Sequence, residues 1–123
     1  MVGGLLLIDH WKKQCIKDAN ARMEPMRQEF ERYIDGLPVQ YYGVANDCDS
    51  GDGRAHLEAR IDPSIPLDRV TVRFRSPVWE KRVGPGGRTY YVGKVADLKM
   101  EVHVSWFELL DPQRVVITVY PRQ

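Results

Sequence analysis

The feature that most constrains the fold of this chain is a change in hydrophobic period at Pro38. Before this residue, apolar positions recur at steps of three and four, as they do along one face of a helix. After it, apolar and polar residues alternate, as they do in half-buried strands. The change predicts a helical segment over residues 1–37 and an antiparallel sheet over residues 38–123.

The helical segment has one interruption, at Pro25. A first apolar run precedes it from Ile8, and a second run follows it as far as Gly36 and Pro38, which are residues that end helices. Proline is accepted in the first turn of a helix, but in the interior it kinks or breaks the helix. The sequence therefore leaves two helices and one kinked helix equally open.

Turn-forming residues divide the second segment into strands. Pro63 and Pro66 separate a run at 55–62 from a run at 69–75, and both runs alternate as strands do. The glycine-rich turn at 84–87 predicts a hairpin between 78–83 and 89–95. Asp111-Pro112 precedes a last, strongly apolar strand, which we expect to be central or well covered.

These patterns predict one α+β domain over residues 1–123, with one or two N-terminal helices packed on a five- to six-stranded antiparallel β-meander. Positions that match the two periods predict the core, which comprises Trp11, Phe30, Ile34, Leu57, Val72, Phe74, Val102, Val104 and Ile117.

The apolar run at residues 5–8 is too short for a membrane span or a signal peptide. We therefore expect a cytoplasmic protein with no membrane partner. Cys15 and Cys48 are too few for a disulfide framework, and we expect both to be free thiols.

The charge distribution is uneven although the net charge is only +1. Residues 37–62 carry two arginines against five acids, whereas residues 63–95 carry seven lysines and arginines against two acids. A local basic excess of this kind can face phosphates, but the near-neutral total argues against strong non-specific binding of nucleic acid.

Motifs for the common cofactors are missing from the sequence, so we expect no cofactor and no metal. The acidic segment at 46–53 resembles a calcium loop, with Glu58 at the place of the last ligand. The match fails because Gly51 stands where an oxygen donor is needed and Asp52 stands where the sharp turn needs glycine. A solvated turn between strands is the better interpretation.

The most suggestive group is His56, Glu58 and Arg60, because alternate residues of a strand share one face at spacings of about 6.6–6.8 Å. Together they could cleave a phosphodiester: Glu or His removes a 2′-hydroxyl proton, His protonates the leaving oxygen, and Arg stabilises the phosphorane charge. Other residues could bind RNA on the same surface, with arginines facing phosphates and a tyrosine stacking on a base; these are Arg69, Arg73, Arg75, Arg88, Tyr90 and Tyr91. The alternative is a solvated sheet face with cross-strand ion pairs.

Two features together resemble the barnase/RelE-like ribonuclease toxins: the H-x-x-x-R pattern of residues 56–60 and the terminal segment 116–121, Val-Ile-Thr-Val-Tyr-Pro. The resemblance implies metal-independent RNA cleavage. It implies that His56 is a general acid or base, that Arg60 binds phosphate, and that Thr118 and Tyr120 orient the scissile phosphate. Two departures are that the H-x-x-x-R pattern of many such toxins lies on a helix and that such toxins are usually more basic.

A different class of function is a non-catalytic binding or assembly module, for example one associated with a phage, a plasmid or a defence system. Such a module would join a protein partner, or a second copy of itself, through its sheet edge or an aromatic surface. Exposure of Trp79, Trp106 and Phe107 as one patch would favour this alternative.

Overall fold

The computed structural model describes residues 2–46, 48 and 55–122. Within these residues the chain forms two α-helices, α1 (Val2–Ile34) and α2 (Leu67–Thr71). The strands are β1 (Val39–Asn46), β2 (Ala55–Ile61), β3 (Trp79–Val83), β4 (Thr89–Val95), β5 (Leu98–Phe107) and β6 (Arg114–Pro121). They form a six-stranded antiparallel sheet in the order β1-β2-β6-β5-β4-β3. The predicted α+β fold is confirmed, and its meander runs from β3 to β6.

Strand β6 occupies the middle of the sheet, between β2 and β5. Its alternate residues Val115, Ile117 and Val119 are fully buried. This confirms the expectation of a central last strand, since β6 has a neighbour on each side and its alternate residues face the covered core. The predicted hairpin at 84–87 is also confirmed, and it joins β3 to β4.

Helix α1 continues through Pro25 without a break, so the sequence alternative of one N-terminal helix is the one the chain adopts. The helix packs on β1 and β2, while α2 packs near β5, so both helices cover the same face of the sheet. The core between them includes Phe30, Leu57 and Val102, which are fully buried. Seven of the nine predicted core residues are buried; these are Phe30, Ile34, Leu57, Phe74, Val102, Val104 and Ile117.

The prediction that Trp11 belongs to the core is wrong, since this side chain is 59% exposed. At 33 residues α1 is about 50 Å long, which exceeds the length of any strand in the sheet. Among the side chains described from residue 10 onward, the buried positions of α1 begin at Ala19. The helical period therefore continues beyond the part of the helix that the sheet covers.

The predicted strand at 69–75 is also wrong, because this segment forms α2 and a 3₁₀ turn over Val72–Phe74. Val70 and Phe74 are buried, and residues four apart share a face in a helix as well as in a strand. Val72 distinguishes the two structures, because a strand would place it on the same face as Val70 and Phe74. Its side chain is instead 47% exposed, as the helical segment requires. The segment crosses the covered face of the sheet as a helix and connects β2 to β3, which is the edge strand on the far side.

An aromatic cluster closes the core beneath β3 and β4. The Trp79 ring lies edge-on to the rings of Tyr33 and Phe74, with centroids 5.2 and 5.3 Å away. Trp79 also packs across Gly93, its partner on β4, where an added Cβ would lie 2.5 Å from the indole ring. Glycine is therefore required opposite this tryptophan. The indole is 7% exposed, so Trp79 contributes to the core and not to an exposed aromatic patch.

Cys15 and Cys48 form a disulfide, with Cα atoms 5.9 Å apart, so the prediction of two free thiols is wrong. The bond ties α1 to the end of the β1 hairpin across 33 residues of sequence. No spacing rule for neighbouring cysteines reveals such a pair, because only the tertiary fold brings the two together. Disulfides persist mainly in oxidising compartments. The cytoplasmic location therefore stays a prediction, and the disulfide weighs against it.

Removing this bond should lower stability by about 3–4 kcal/mol, because the closed loop of 33 residues restricts the unfolded chain. The double variant C15S/C48S should show this loss as a lower urea midpoint than the oxidised wild type. Wild-type protein in reductant should lose the same amount, whereas the variant should not respond to reductant. Equal midpoints for the oxidised wild type and the variant would contradict the prediction.

Within the described residues, neither helix combines the length and the apolar composition that a membrane span requires.

Candidate active site on the open face of the sheet

The open face of the sheet is the side that α1 and α2 leave uncovered. Strand β2 shows the division between the two faces. Leu57, Ala59 and Ile61 point into the core and are fully buried, whereas His56, Glu58 and Arg60 alternate with them on the open face and are partly exposed. The prediction that these three polar residues share a face is therefore confirmed. The H-x-x-x-R pattern lies on a strand and not on a helix.

The strand order aligns the polar residues of β2, β6 and β5 in two adjacent rows. In the first row, Glu58 is paired with Thr118, and Thr118 is paired with His103. In the second row, the His56 ring stacks on Tyr120, and Tyr120 is paired with Glu101. Several of these residues line one broad, open depression, namely Glu58, Glu101, His103, Thr118 and Tyr120, together with Arg122; His56 and Arg60 are not among its lining residues. Thr118 and Tyr120 thus lie beside the β2 residues.

His103 is held by contacts on several sides. Its Nε2 lies 2.7 Å from Oε2 of Glu101, two residues earlier on the same strand. Its ring stacks on Tyr90 of β4, with centroids 5.2 Å apart and planes inclined by 13°, and it meets the Tyr120 ring edge-on at 5.7 Å. A histidine fixed by a carboxylate in this way is oriented for proton transfer at its other nitrogen.

His56 is held less tightly. Its ring stacks on Tyr120 at a centroid distance of 4.9 Å. Among the described residues, no side-chain hydrogen bond or ion pair involves its imidazole nitrogens. Within the part of the chain that the structure describes, the nitrogens of His56 are therefore open to a ligand on the open face.

Cations border both rows. Arg60 donates to Glu58 over 3.3 Å and lies over the Tyr41 ring at 5.2 Å. Arg122 lies 3.8 Å from the second carboxylate oxygen of Glu101. On β3 the hydrogen bond and the charge of Glu80 raise the pKa of Arg82, which keeps its guanidinium charged. Each of these arginines is paired with a glutamate, so the open face presents both signs of charge around its two histidines.

Three of the predicted RNA-binding arginines do not belong to this surface. Arg69, Arg73 and Arg75 lie on α2 and the turn after it, on the covered side of the sheet. Arg73 donates to the backbone carbonyls of Asp35 and Tyr33 and so satisfies the carbonyl end of α1. Arg88, after the glycine turn, does border the depression on the open face. Tyr90 lies on the open face, whereas Tyr91 is buried in the core.

Replacing Arg73 with alanine should therefore reduce stability and leave any activity of the open face unchanged. Its hydrogen bonds come from a charged donor, and losing such bonds costs about 1.5–3 kcal/mol. The urea midpoint measures the loss, and Arg75→Ala, an exposed neighbour, is the matched control. A variant with an unaltered midpoint and weaker, less salt-dependent RNA binding would instead identify Arg73 as an RNA ligand.

The candidate calcium loop lies almost wholly outside the described residues. Within the residues the structure describes, no group of three or more His, Cys, Asp or Glu side chains is arranged to hold a metal ion. Glu58, the last position of that candidate loop, points to the open face and pairs with Arg60.

Sequence reasoning did not select Glu101 and His103 as functional residues. Their alternation with Met100 and Val102 places them on the polar face of a strand, and this signal was present in the sequence. The strand order, which lays β5 beside β6 and β6 beside β2, was the information required to join them to His56.

No known protein family, curated protein or solved structure matches this chain in the comparisons made. The geometry of the open face is therefore the basis for assigning a function.

Proposed function

We propose that this chain is an endoribonuclease that cleaves RNA by acid–base catalysis without the help of a metal ion. The observation that carries the proposal is the placement of two imidazoles, His56 and His103, on the open face with Tyr120 in contact with both rings. One imidazole is held by a carboxylate and the other is available to a ligand. This is the pair of groups that two proton transfers at one phosphate require.

The reaction uses the 2′-hydroxyl of the RNA as its nucleophile. A base removes the hydroxyl proton, and the oxygen attacks the neighbouring phosphorus. The bond from phosphorus to the 5′-oxygen breaks, and an acid protonates that oxygen. The products are a 2′,3′-cyclic phosphate and a 5′-hydroxyl, so neither water nor a metal enters this step.

The other residues of the two rows have supporting roles in this proposal. Thr118 and Tyr120 carry hydroxyls between the strands of the two histidines, where they would orient the non-bridging phosphate oxygens. Arg60 and Arg122 border the rows and would offset the charge that develops on the phosphorane. Arg88 would bind a phosphate further along the RNA.

The direct test is to incubate purified protein with a panel of RNAs in excess EDTA and to analyse the ends of the products. We expect fragments with 2′,3′-cyclic phosphate and 5′-hydroxyl ends. Matched oligonucleotides with a 2′-deoxy residue at the mapped cleavage position should resist the enzyme. Absence of cleavage over the whole panel, or cleavage of the deoxy substrate at the same position, would overturn the proposal.

The resemblance to barnase/RelE-like toxins rests on four positions on the open face of β2 and β6. Those positions are His56, Arg60, Thr118 and Tyr120. Membership of that superfamily remains part of the proposal. A toxin role would appear as growth arrest on expression of the wild-type chain and its absence on expression of a variant that lacks both open-face histidines.

A second candidate is an assembly module, and one observation favours it. Trp106 and Phe107 at the end of β5 and Leu109 after it each leave apolar surface exposed, and Leu109 is 89% exposed. Exposed apolar side chains of this size are suited to contact with a protein partner. Light scattering of the purified chain distinguishes the candidates: a stable oligomer that L109D converts to monomers, in protein inactive on RNA, would favour assembly.

A further inference from the structure

We infer that the two open-face histidines divide the proton transfers, with His103 as the general base and His56 as the general acid. This inference rests on the proposed function and assigns roles within the same site.

The contact between His103 and Glu101 defines the base. The carboxylate accepts a hydrogen bond from Nε2–H at 2.7 Å, which leaves the lone pair on Nδ1 to accept the 2′-hydroxyl proton. As that proton arrives the ring becomes an imidazolium, and the adjacent carboxylate stabilises it, as in the Ser-His-Asp arrangement. Stacking against Tyr90 limits rotation of the ring.

The surroundings of His56 suit the acid. Among the described residues no carboxylate contacts its ring, and the nearest acid on its strand, Glu58, is paired with Arg60. One ring nitrogen of His103 is engaged by Glu101, whereas neither ring nitrogen of His56 has a hydrogen-bond partner among the described residues. His56 is therefore the better donor to the leaving 5′-oxygen.

Both imidazole rings contact the Tyr120 ring, and this limits the distance between them. The His56 centroid lies 4.9 Å from that of Tyr120, and the His103 centroid lies 5.7 Å from it, so the two imidazole centroids are at most 10.6 Å apart. A proton transfer needs a hydrogen bond of about 3 Å on each side of the phosphate. The phosphate would then lie above Tyr120 and Thr118 of β6.

The assignment also sets the direction of the RNA. The nucleotide whose 2′-hydroxyl attacks lies toward His103, on the β5 and β4 side. The nucleotide that leaves with a 5′-hydroxyl lies toward His56, on the β2 and β1 side. The chain of the RNA therefore crosses the strands of the sheet.

The test uses two RNAs of one sequence, of which the second carries sulfur in place of the bridging 5′-oxygen at the cleavage site. A thiolate leaves without being protonated, so this substrate needs a base but no acid. We expect His56→Ala to be slower than wild type by about 10²–10⁴-fold on the oxygen substrate and to regain most of the wild-type rate on the sulfur substrate. His103→Ala should be slow on both.

The results separate failure of this inference from failure of the proposed function. If wild type cleaves neither RNA, the proposed function fails. If wild type cleaves both but His56→Ala stays equally slow on both, or if sulfur rescues His103→Ala, the assignment of roles is overturned. Glu101→Gln, a positioning variant, should be slow on both substrates like His103→Ala. The glutamine variants H56Q and H103Q provide the same comparison for any alanine variant that does not fold.

Discussion

Replacing His56 with alanine should lower turnover on RNA by about 10²–10⁴-fold, which is the usual cost of removing a positioned proton-transfer group. The fold should remain intact, because the His56 ring lies on the open face and stacks only on Tyr120 among the described rings. The measurements are the steady-state kcat and the single-turnover rate constant. Circular dichroism and the urea midpoint follow the fold.

His10→Ala is the matched control for this variant. His10 is an exposed residue of α1, on the helix that covers the other face of the sheet. Its replacement should leave turnover unchanged, so a loss in both variants would point to a non-specific effect of removing histidine. Wild-type turnover in a folded His56→Ala protein would remove His56 from the mechanism.

Replacing Phe30 with alanine should reduce the free energy of unfolding by about 3–5 kcal/mol, because it removes a large side chain from a filled core. Phe30 is fully buried between α1 and the sheet, and its ring centroid lies 6.3 Å from that of Tyr42 on β1. A loss of this size is a large share of the stability of a typical domain. The urea midpoint and the melting temperature should both decrease.

Gln28→Ala is the matched control, since Gln28 is an exposed residue of the same helix. Its midpoint should remain close to that of wild type, because surface substitutions usually change stability by less than about 0.5 kcal/mol. An unchanged midpoint in the Phe30 variant would show that the face of α1 that packs on the sheet has been misidentified.

The hydrophobic periods of the sequence were sufficient to predict the fold class and most of the core. They were insufficient wherever tertiary contacts decide the outcome. Trp11 follows the helical period, but α1 continues past the sheet that would cover it. Residues 69–75 alternate like a strand, but they cross the covered face as a short helix. The two cysteines meet only because α1 folds back over β1.

The candidate site could be predicted only in part for the same reason. Alternation placed His56, Glu58 and Arg60 on one face, because this is a local property of one strand. The positions of Glu101 and His103 beside them depend on β6 lying between β2 and β5, and no local pattern specifies that order. The arginines of 69–75 were assigned to the wrong surface because the local structure of their segment was wrong.

The stacked rings of the open face have a consequence for the sequence preference of the proposed enzyme. Tyr90 and His103 stack at 5.2 Å, and His56 and Tyr120 stack at 4.9 Å, which are close to the spacing of about 4.8 Å between neighbouring strands. These rings therefore stand upright on the sheet with their faces turned toward each other. A nucleobase cannot insert between two rings that are already stacked, so within each pair the rings would contact RNA through their edges, which carry N–H and O–H groups. Such edges suit the sugar and phosphate that all nucleotides share, and we expect cleavage to depend little on which base occupies the site.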